Sequence, residues 1–349
     1  MRRIAAITSL FFIPLTCSTG QDRKYIKNGQ KELVRFESRK SPESDEKIIR
    51  EGILIRRTHA PAIVLICHGF MCSKDDIQFL ADIFKKYTTF TFDFRAHGTL
   101  TNGQYCTFGL HEAEDVIAAA EYLKADPELQ GVPIIVYGFS MGAVASLIAQ
   151  SERPDLFAAA IWDCPFDSTG NVLRRSIDRL TIKILGHEIP VPGRDFLHHY
   201  AYHPYVQSVL KAALKAIVHM DATPIPTTIL DVSPQKSAEK ISIPTLLIVC
   251  RNDEKAPVEA VRAIYDALRG YKRLWITNGR RHFDSYFYNP EKYRYKVSEF
   301  VAKALDGSYH AGPASKIVED PALIPQPRTT AYKKNGAFLY GSVPFGQAQ

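Results

Sequence analysis

Residues 138–142 read GFSMG, directly after the apolar run VPIIVY. Ser140 therefore sits between two glycines where a strand-like segment gives way to a helix-like one. A serine hydroxyl is a weak nucleophile: it needs a base to take its proton and a carboxylate to orient that base. Asp253, in CRNDEKAP, and His282, in TNGRRHFDS, have that chemistry, and each follows an apolar run, IPTLLIVC and KRLWIT. The glycines suit a turn so tight that flanking positions have no room for side chains. A helix opening at Met141 would aim backbone N–H groups at the serine. Each residue also has a plainer reading. Ser140 suits a helix N-cap, Asp253 a cap for a helix beginning near Pro257, and His282 a surface loop. Asp163, at the end of FAAAIWD, and Glu254 compete for the carboxylate's place. Asp253 is favoured because the orienting acid normally comes from the strand before the histidine's.

Attack on a carbonyl carbon places negative charge on its oxygen, and two backbone donors must meet it. Met141 N–H is one candidate. The other is Phe70 N–H, in the loop HGFMCSKDD after AIVLIC, where Gly69 permits a sharp turn. His68, within that turn, suits a structural hydrogen bond better than catalysis. Asp93, Arg95 and His97 in FDFRAHG read as a loop-pinning network, contact of His97 with a substrate being the minority alternative.

The elements around these residues alternate. ELVRF and IIREGILI read as early strands. AIVLIC, TTFTFDF, VPIIVY, FAAAIWD, IPTLLIVC and KRLWIT follow as strands, several apolar throughout as expected when both faces are covered. Between or after them DDIQFLADIFKKY, GLHEAEDVIAAAEYLKAD, GAVASLIAQ, PVEAVRAIYDALR and PEKYRYKVSEFVAKAL read as helices. Such alternation implies right-handed crossovers, a mostly parallel central sheet and helices on both faces. Chemistry then gathers beyond the carboxyl ends of the strands, where Ser140, Asp253 and His282 all fall. Residues 164–240 break the rhythm with an amphipathic piece near 171–185, the aromatic FLHHYAYHPY, the helix-like VQSVLKAALKAIVHM and the breaker run ATPIPTT. This insertion is expected to form a helical lid over the active edge. Its aromatics either line an acyl pocket or pack the lid onto the body. Residues 306–349, rich in Gly and Pro, are expected to be an irregular extension or disordered.

The chain of 349 residues is 46% hydrophobic and 23% charged, enough to bury a sizeable core. Its net charge of +7 is spread over scattered basic pairs, which argues against a nucleic-acid groove. Residues 1–20, MRRIAAITSLFFIPLTCSTG, carry two arginines, an apolar stretch and a small polar exit, the pattern of an export signal. Cys17 stands at the position of a lipid-anchored cysteine, although the residues before it fit poorly; membrane association is expected only if Cys17 is lipidated. The six cysteines show no CxxC or His-paired metal spacing. Cys67 and Cys250 end strand-like runs and read as buried hydrophobes. Cys72, Cys106 and Cys164 fall in expected loops, and one pair among them could oxidise after export.

Taken together, HGF, DFRAHG, TFGLHEAEDV, GFSMG and the Asp253 and His282 loops resemble the serine α/β-hydrolase superfamily. The likeness is strongest to its lysophospholipase-like and prolyl-oligopeptidase-like esterase branch, and it runs from about residue 45 to 305. It implies an α/β-hydrolase domain over 21–305 with a lid, a Ser140–Asp253–His282 triad, and Phe70 and Met141 as oxyanion donors. It implies no metal or organic cofactor. The expected substrate is a small-molecule or lipid-like acyl compound, first a carboxylic ester and second a thioester. A peptidase using the same triad and a silent fold used only for binding are the alternatives. Dehalogenase and epoxide hydrolase chemistry is disfavoured, since those relatives have Asp at the nucleophile position. Ala96, Thr99 and Leu100 replace residues often Gly or Ser in relatives, and Cys250 replaces a usual Gly.

Overall fold

The computed structural model describes residues 29–178, 181–184, 187–190, 192–200, 202, 203, 206, 208, 225–310 and 315–321. The export segment 1–20, Cys17 and nearly all of VQSVLKAALKAIVHM lie outside the described residues. Among the described residues, nine strands form one sheet in the order β1(Lys31–Arg39), β2(Lys47–Ile55), β4(Thr88–Phe92), β3(Ile63–Cys67), β5(Ile134–Phe139), β6(Ala159–Asp163), β9(Thr245–Cys250), β10(Lys272–Thr277) and β11(Ser315–Glu319). Strand β2 pairs antiparallel with both β1 and β4, and every later pairing in the sheet is parallel. The expected mostly parallel sheet is therefore the observed one.

Period-2 geometry divides the apolar strands between two cores. Ile63, Leu65, Cys67, Val136, Trp162, Leu247 and Val249 face one side, under helices α1(Glu112–Ala125), α2(Met141–Glu152) and α4(Val258–Ala267). Val64, Ile66, Tyr137, Phe139, Ile161, Leu246 and Ile248 face the other, under α5(Pro290–Leu305) and the turns Gln78–Phe84. Full burial of each such side chain contributes about 1.5–3 kcal/mol. Trp162, fully buried, also satisfies its indole N–H by donating to Ser146 Oγ at 3.0 Å.

Three segments depart from the sequence expectation. DDIQFLADIFKKY forms only a helical turn, Gln78–Ala81, and a 3₁₀ turn, Asp82–Phe84. The loop after β3 consumes the residues up to 77, and β4 begins at Thr88, so a longer helix has no room. Two turns suffice to bury Ile77, Leu80, Ile83 and Phe84. Between β6 and β9, the amphipathic piece is helical only over α3(Thr169–Asp178). A two-stranded hairpin, β7(Thr181–Ile184) with β8(His187–Pro190), and a short helix, Arg194–His199, follow. Residues 315–319, within the stretch expected to be irregular, pair in parallel with β10 as edge strand β11. Trp275 Nε1–H donates to Asp320 at 2.9 Å and closes that edge, a contact no local pattern announces.

Candidate active site

Ser140 leaves β5 with φ 51° and ψ −120°, and α2 starts at the next residue. A left-handed φ at a non-glycine residue costs about 1–3 kcal/mol and persists only where the surroundings enforce it. Here Ser140 N–H donates to Asp163 O at 2.9 Å, and Val144 N–H to Ser140 O at 3.1 Å. The flanking glycines are required by contact. A Cβ on Gly138 would lie 2.6 Å from Gly142 O, and one on Gly142 would lie 2.3 Å from Cys67 O. The second contact also shows that the start of α2 presses on the end of β3, bringing Met141 towards the loop that carries Phe70.

Strand β10 delivers His282. Its Nε2 lies 2.9 Å from Ser140 Oγ, and its Nδ1 lies 2.8 Å from Asp253 Oδ2. Asp253 follows β9, and its other oxygen accepts from Lys255 and Ala256 N–H, both at 2.9 Å. The carboxylate is thus fixed in the turn and on the imidazole at once. It does not cap the helix Val258–Ala267, whose N-cap is Pro257 with no side-chain hydrogen bond; its Oδ1 instead holds the turn before that helix. The His282 loop is clamped in turn: Arg280 N–H and Nε donate to Asp284 Oδ2, both at 2.9 Å. Phe283 stacks on Phe139 with centroids 3.9 Å apart. Those rings adjoin His282 and Ser140 in sequence, so the stack joins the loop to the elbow.

The competing carboxylates lie elsewhere. Asp163 Oδ2 accepts from Tyr293 O–H at 2.8 Å, and Tyr137 and Tyr293 hydroxyls pair at 2.8 Å. Burial, with the nearby Asp253 charge adding to it, pushes the Asp163 carboxyl up to about 7 against the opposing Tyr293 hydrogen bond. Glu254 is exposed.

The expected sharp turn after β3 runs from Gly69 to Cys72, closed by Cys72 N–H donating to Gly69 O at 3.2 Å, with the positive φ at Met71 (65°). Phe70 in this turn packs against Phe108 and His97. His68 Nε2 accepts from Phe94 N–H at 3.0 Å, so its Nδ1 donates to Gly69 O at 2.8 Å. His97 Nε2 likewise accepts from Met71 N–H at 3.2 Å, and its Nδ1 donates to Arg95 O at 2.8 Å. Burial lowers both imidazole pKa values, the neighbouring His97 adding to the effect on His68. Asp93 holds the same loop by accepting from Lys74 N–H and Nζ, at 2.6 and 2.9 Å. Arg95 is turned to Asp115 on α1. All four residues pin loops, as their sequence context suggested.

Cys164 was missed as a neighbour of the site. Its Sγ lies 3.8 Å from His282 Nε2. The signal was available: it directly follows a strand end, the same filter that selected Asp253 and His282. Cys67, Cys72, Cys106, Cys164 and Cys250 are free thiols, and Cys67 and Cys250 are buried at strand ends as expected.

The relay can pass a proton from Ser140 to His282 while Asp253 fixes the imidazole's tautomer. The chain as a whole is similar to known proteins. An uncharacterised Bacillus subtilis protein, YqkD, is 26% identical over 264 residues, covering 74% of this chain and 77% of its own. A Monkeypox virus monoglyceride lipase homolog is 25% identical over 243 residues, covering 64% of this chain and 83% of its own. An esterase of Pyrococcus furiosus shares the fold with a TM-score of 0.58 at 21% identity, covering 79% of this chain and 93% of that one. The model of the alpha/beta hydrolase family matches residues 63–294, from β3 into α5 and across Ser140, Asp253 and His282. The chain belongs to the alpha/beta hydrolase family.

Proposed function

We propose that the protein is a serine hydrolase of carboxylic esters with lipid-like acyl groups, working through Ser140, His282 and Asp253. The observation that carries this reading is the continuous relay from Ser140 Oγ through both imidazole nitrogens to Asp253 Oδ2. In the first step His282 Nε2 takes the hydroxyl proton as Ser140 Oγ attacks the acyl carbonyl. The N–H groups of Phe70 and Met141 meet the oxyanion, such a donor contributing about 2.7–4 kcal/mol to the transition state. His282 then returns the proton to the leaving alcohol, and an acyl-enzyme remains. Water, deprotonated by the same nitrogen, releases the acid and restores Ser140.

The ester and lipid-like assignment draws on the likeness to a monoglyceride lipase homolog. It also draws on the segment between β6 and β9, which we assign as the lid. That segment leaves the sheet beside Cys164, returns before Asp253, and exposes Phe196, Tyr200 and Tyr202. Fluorophosphonate labelling of the wild type against Ser140→Ala tests the enzyme reading. A folded wild-type protein that takes up no label overturns it. Varying acyl length in p-nitrophenyl esters tests the substrate class, and no gain in kcat/KM with longer chains removes the lipid-like assignment. The export reading of residues 1–20 is tested by the mass of the mature N-terminus in the native host.

A further inference from the structure

Cys164 is buried and takes no part in the proposed hydrolysis. Its φ is 47°, and its N–H is fixed on Ile248 O at 2.8 Å. A non-glycine residue keeps such a backbone only where the surroundings impose it. That backbone directs Sγ to 3.8 Å from His282 Nε2, the nitrogen that also faces Ser140 Oγ at 2.9 Å. Donor atoms of Cys164, Asp253 and His282 all lie within 4.8 Å of one another. A tetrahedral zinc bound by one sulfur and one imidazole nitrogen separates those two atoms by about 3.5 Å. The Cys164–His282 spacing needs only a small adjustment to match it. Asp253 occupies the far imidazole nitrogen, as the carboxylate behind a metal-bound histidine does. Ser140 and His282 are not fully buried, 10% of the His282 side chain being exposed, which leaves an ion an entry from the substrate side.

We propose that Cys164 Sγ and His282 Nε2, completed by Ser140 Oγ and water, form an inhibitory site for a thiophilic divalent cation such as Zn2+. Bound there, the ion takes the lone pair that would accept the serine proton. The Cys164 S–H proton leaves to solvent as the S–Zn bond forms, one proton per ion. Mg2+ and Ca2+, which require sets of oxygen ligands, do not bind. The effect on turnover rests on the serine-hydrolase reading, whereas the binding itself does not.

The test uses the full chain after chelator treatment, with Co2+ as a spectroscopic probe, Zn2+ in equilibrium dialysis, and p-nitrophenyl ester turnover with and without Zn2+. The expected result is one Zn2+ per chain and a thiolate-to-Co2+ charge-transfer band that Zn2+ abolishes. Cys164→Ala and the near-isosteric Cys164→Ser remove the band, whereas Cys72→Ser keeps it. Asp253→Asn weakens Zn2+ binding about 10- to 100-fold by removing the carboxylate behind the ligand. Zn2+ suppresses turnover in the wild type, and the ratio of inhibited to uninhibited rate returns towards one in the Cys164 variants. Equal Zn2+ binding by wild type and both Cys164 variants, or no thiolate band, overturns the site. A band without ester turnover retains the site and counts against the hydrolase reading; turnover without a band does the reverse.

Discussion

His282 Nε2 and Ser140 Oγ meet at 2.9 Å across 142 residues of sequence. Two residues sharing one proton act as a unit, so their removal is not additive. Ser140→Ala and His282→Ala are each expected to lower kcat by about 10^6-fold. The double variant is expected to be no worse than either alone. Steady-state ester hydrolysis by the three proteins checks this, and a multiplicative loss in the double variant contradicts the shared relay.

Asp163 ends β6 and Asp253 lies in the turn just past neighbouring β9, yet only Asp253 touches the imidazole. Asp253→Asn is expected to lower kcat by about 10^4-fold, because an amide favours the wrong tautomer. Asp163→Asn still accepts from Tyr293 and is expected to lose far less. Comparing kcat for the two amide variants decides between the carboxylates, and a larger loss from Asp163→Asn reverses the assignment.

The Phe139–Phe283 stack joins the histidine loop to the elbow. Such an aromatic pair is worth about 0.5–1.5 kcal/mol beyond the area it buries. Its catalytic weight is expected to be larger, since a misplacement near 1 Å can cost about 10^2-fold. Phe283→Leu should therefore reduce kcat more than it reduces thermal stability. Parallel melting curves and turnover measurements separate the two effects.

Asp115 anchors β1 and the loop after β4 through Ser38 Oγ at 2.6 Å and the Arg95 guanidinium at 2.8 and 3.0 Å. Burial by itself raises this carboxyl, but the charge and hydrogen bonds of Arg95, aided by Arg50 and Ser38, hold it below its ordinary 3.8. A depressed carboxyl contributes stability that is complete above the unfolded value and is lost as pH falls through the folded one. Arg95→Met strands the buried carboxylate and is expected to cost about 3–5 kcal/mol at pH 7. Without Arg95, burial raises the carboxyl above its ordinary value, so that deficit should already shrink as pH falls from 7 towards about 4 and the carboxyl of the variant takes up its proton. Urea unfolding of both proteins from pH 7 to pH 3 reads the difference directly.

Much of this was legible along the chain. Apolar runs and helical spacing marked the parallel strands and the helices α1, α2, α4 and α5, because burial on one or both faces is written as local periodicity. Strand ends located Ser140, Asp253 and His282, and the Gly138–Gly142 frame marked the elbow through its lack of room for side chains. Other features carried no local signature. The helix after β3 shrank to two turns because the preceding loop used up the connection. Strand β11 forms because β10 offers it an edge and Trp275 a hydrogen-bonding partner at Asp320.

The sequence by itself determined the order of the elements and which residues stand at the carboxyl ends of the strands. Only the tertiary structure decided which of those residues meet. Asp163 and Asp253 both stand at carboxyl ends of neighbouring strands, and strand order favoured Asp253; in the fold one turns to Tyr293 and the other to His282. Cys164, unremarkable in its loop, comes to face the same imidazole nitrogen as Ser140. Periodicity records the face and the end of a strand on which a side chain lies. Lateral strand order and the turn after each strand set its partner, and those arise from contacts between residues far apart in the chain.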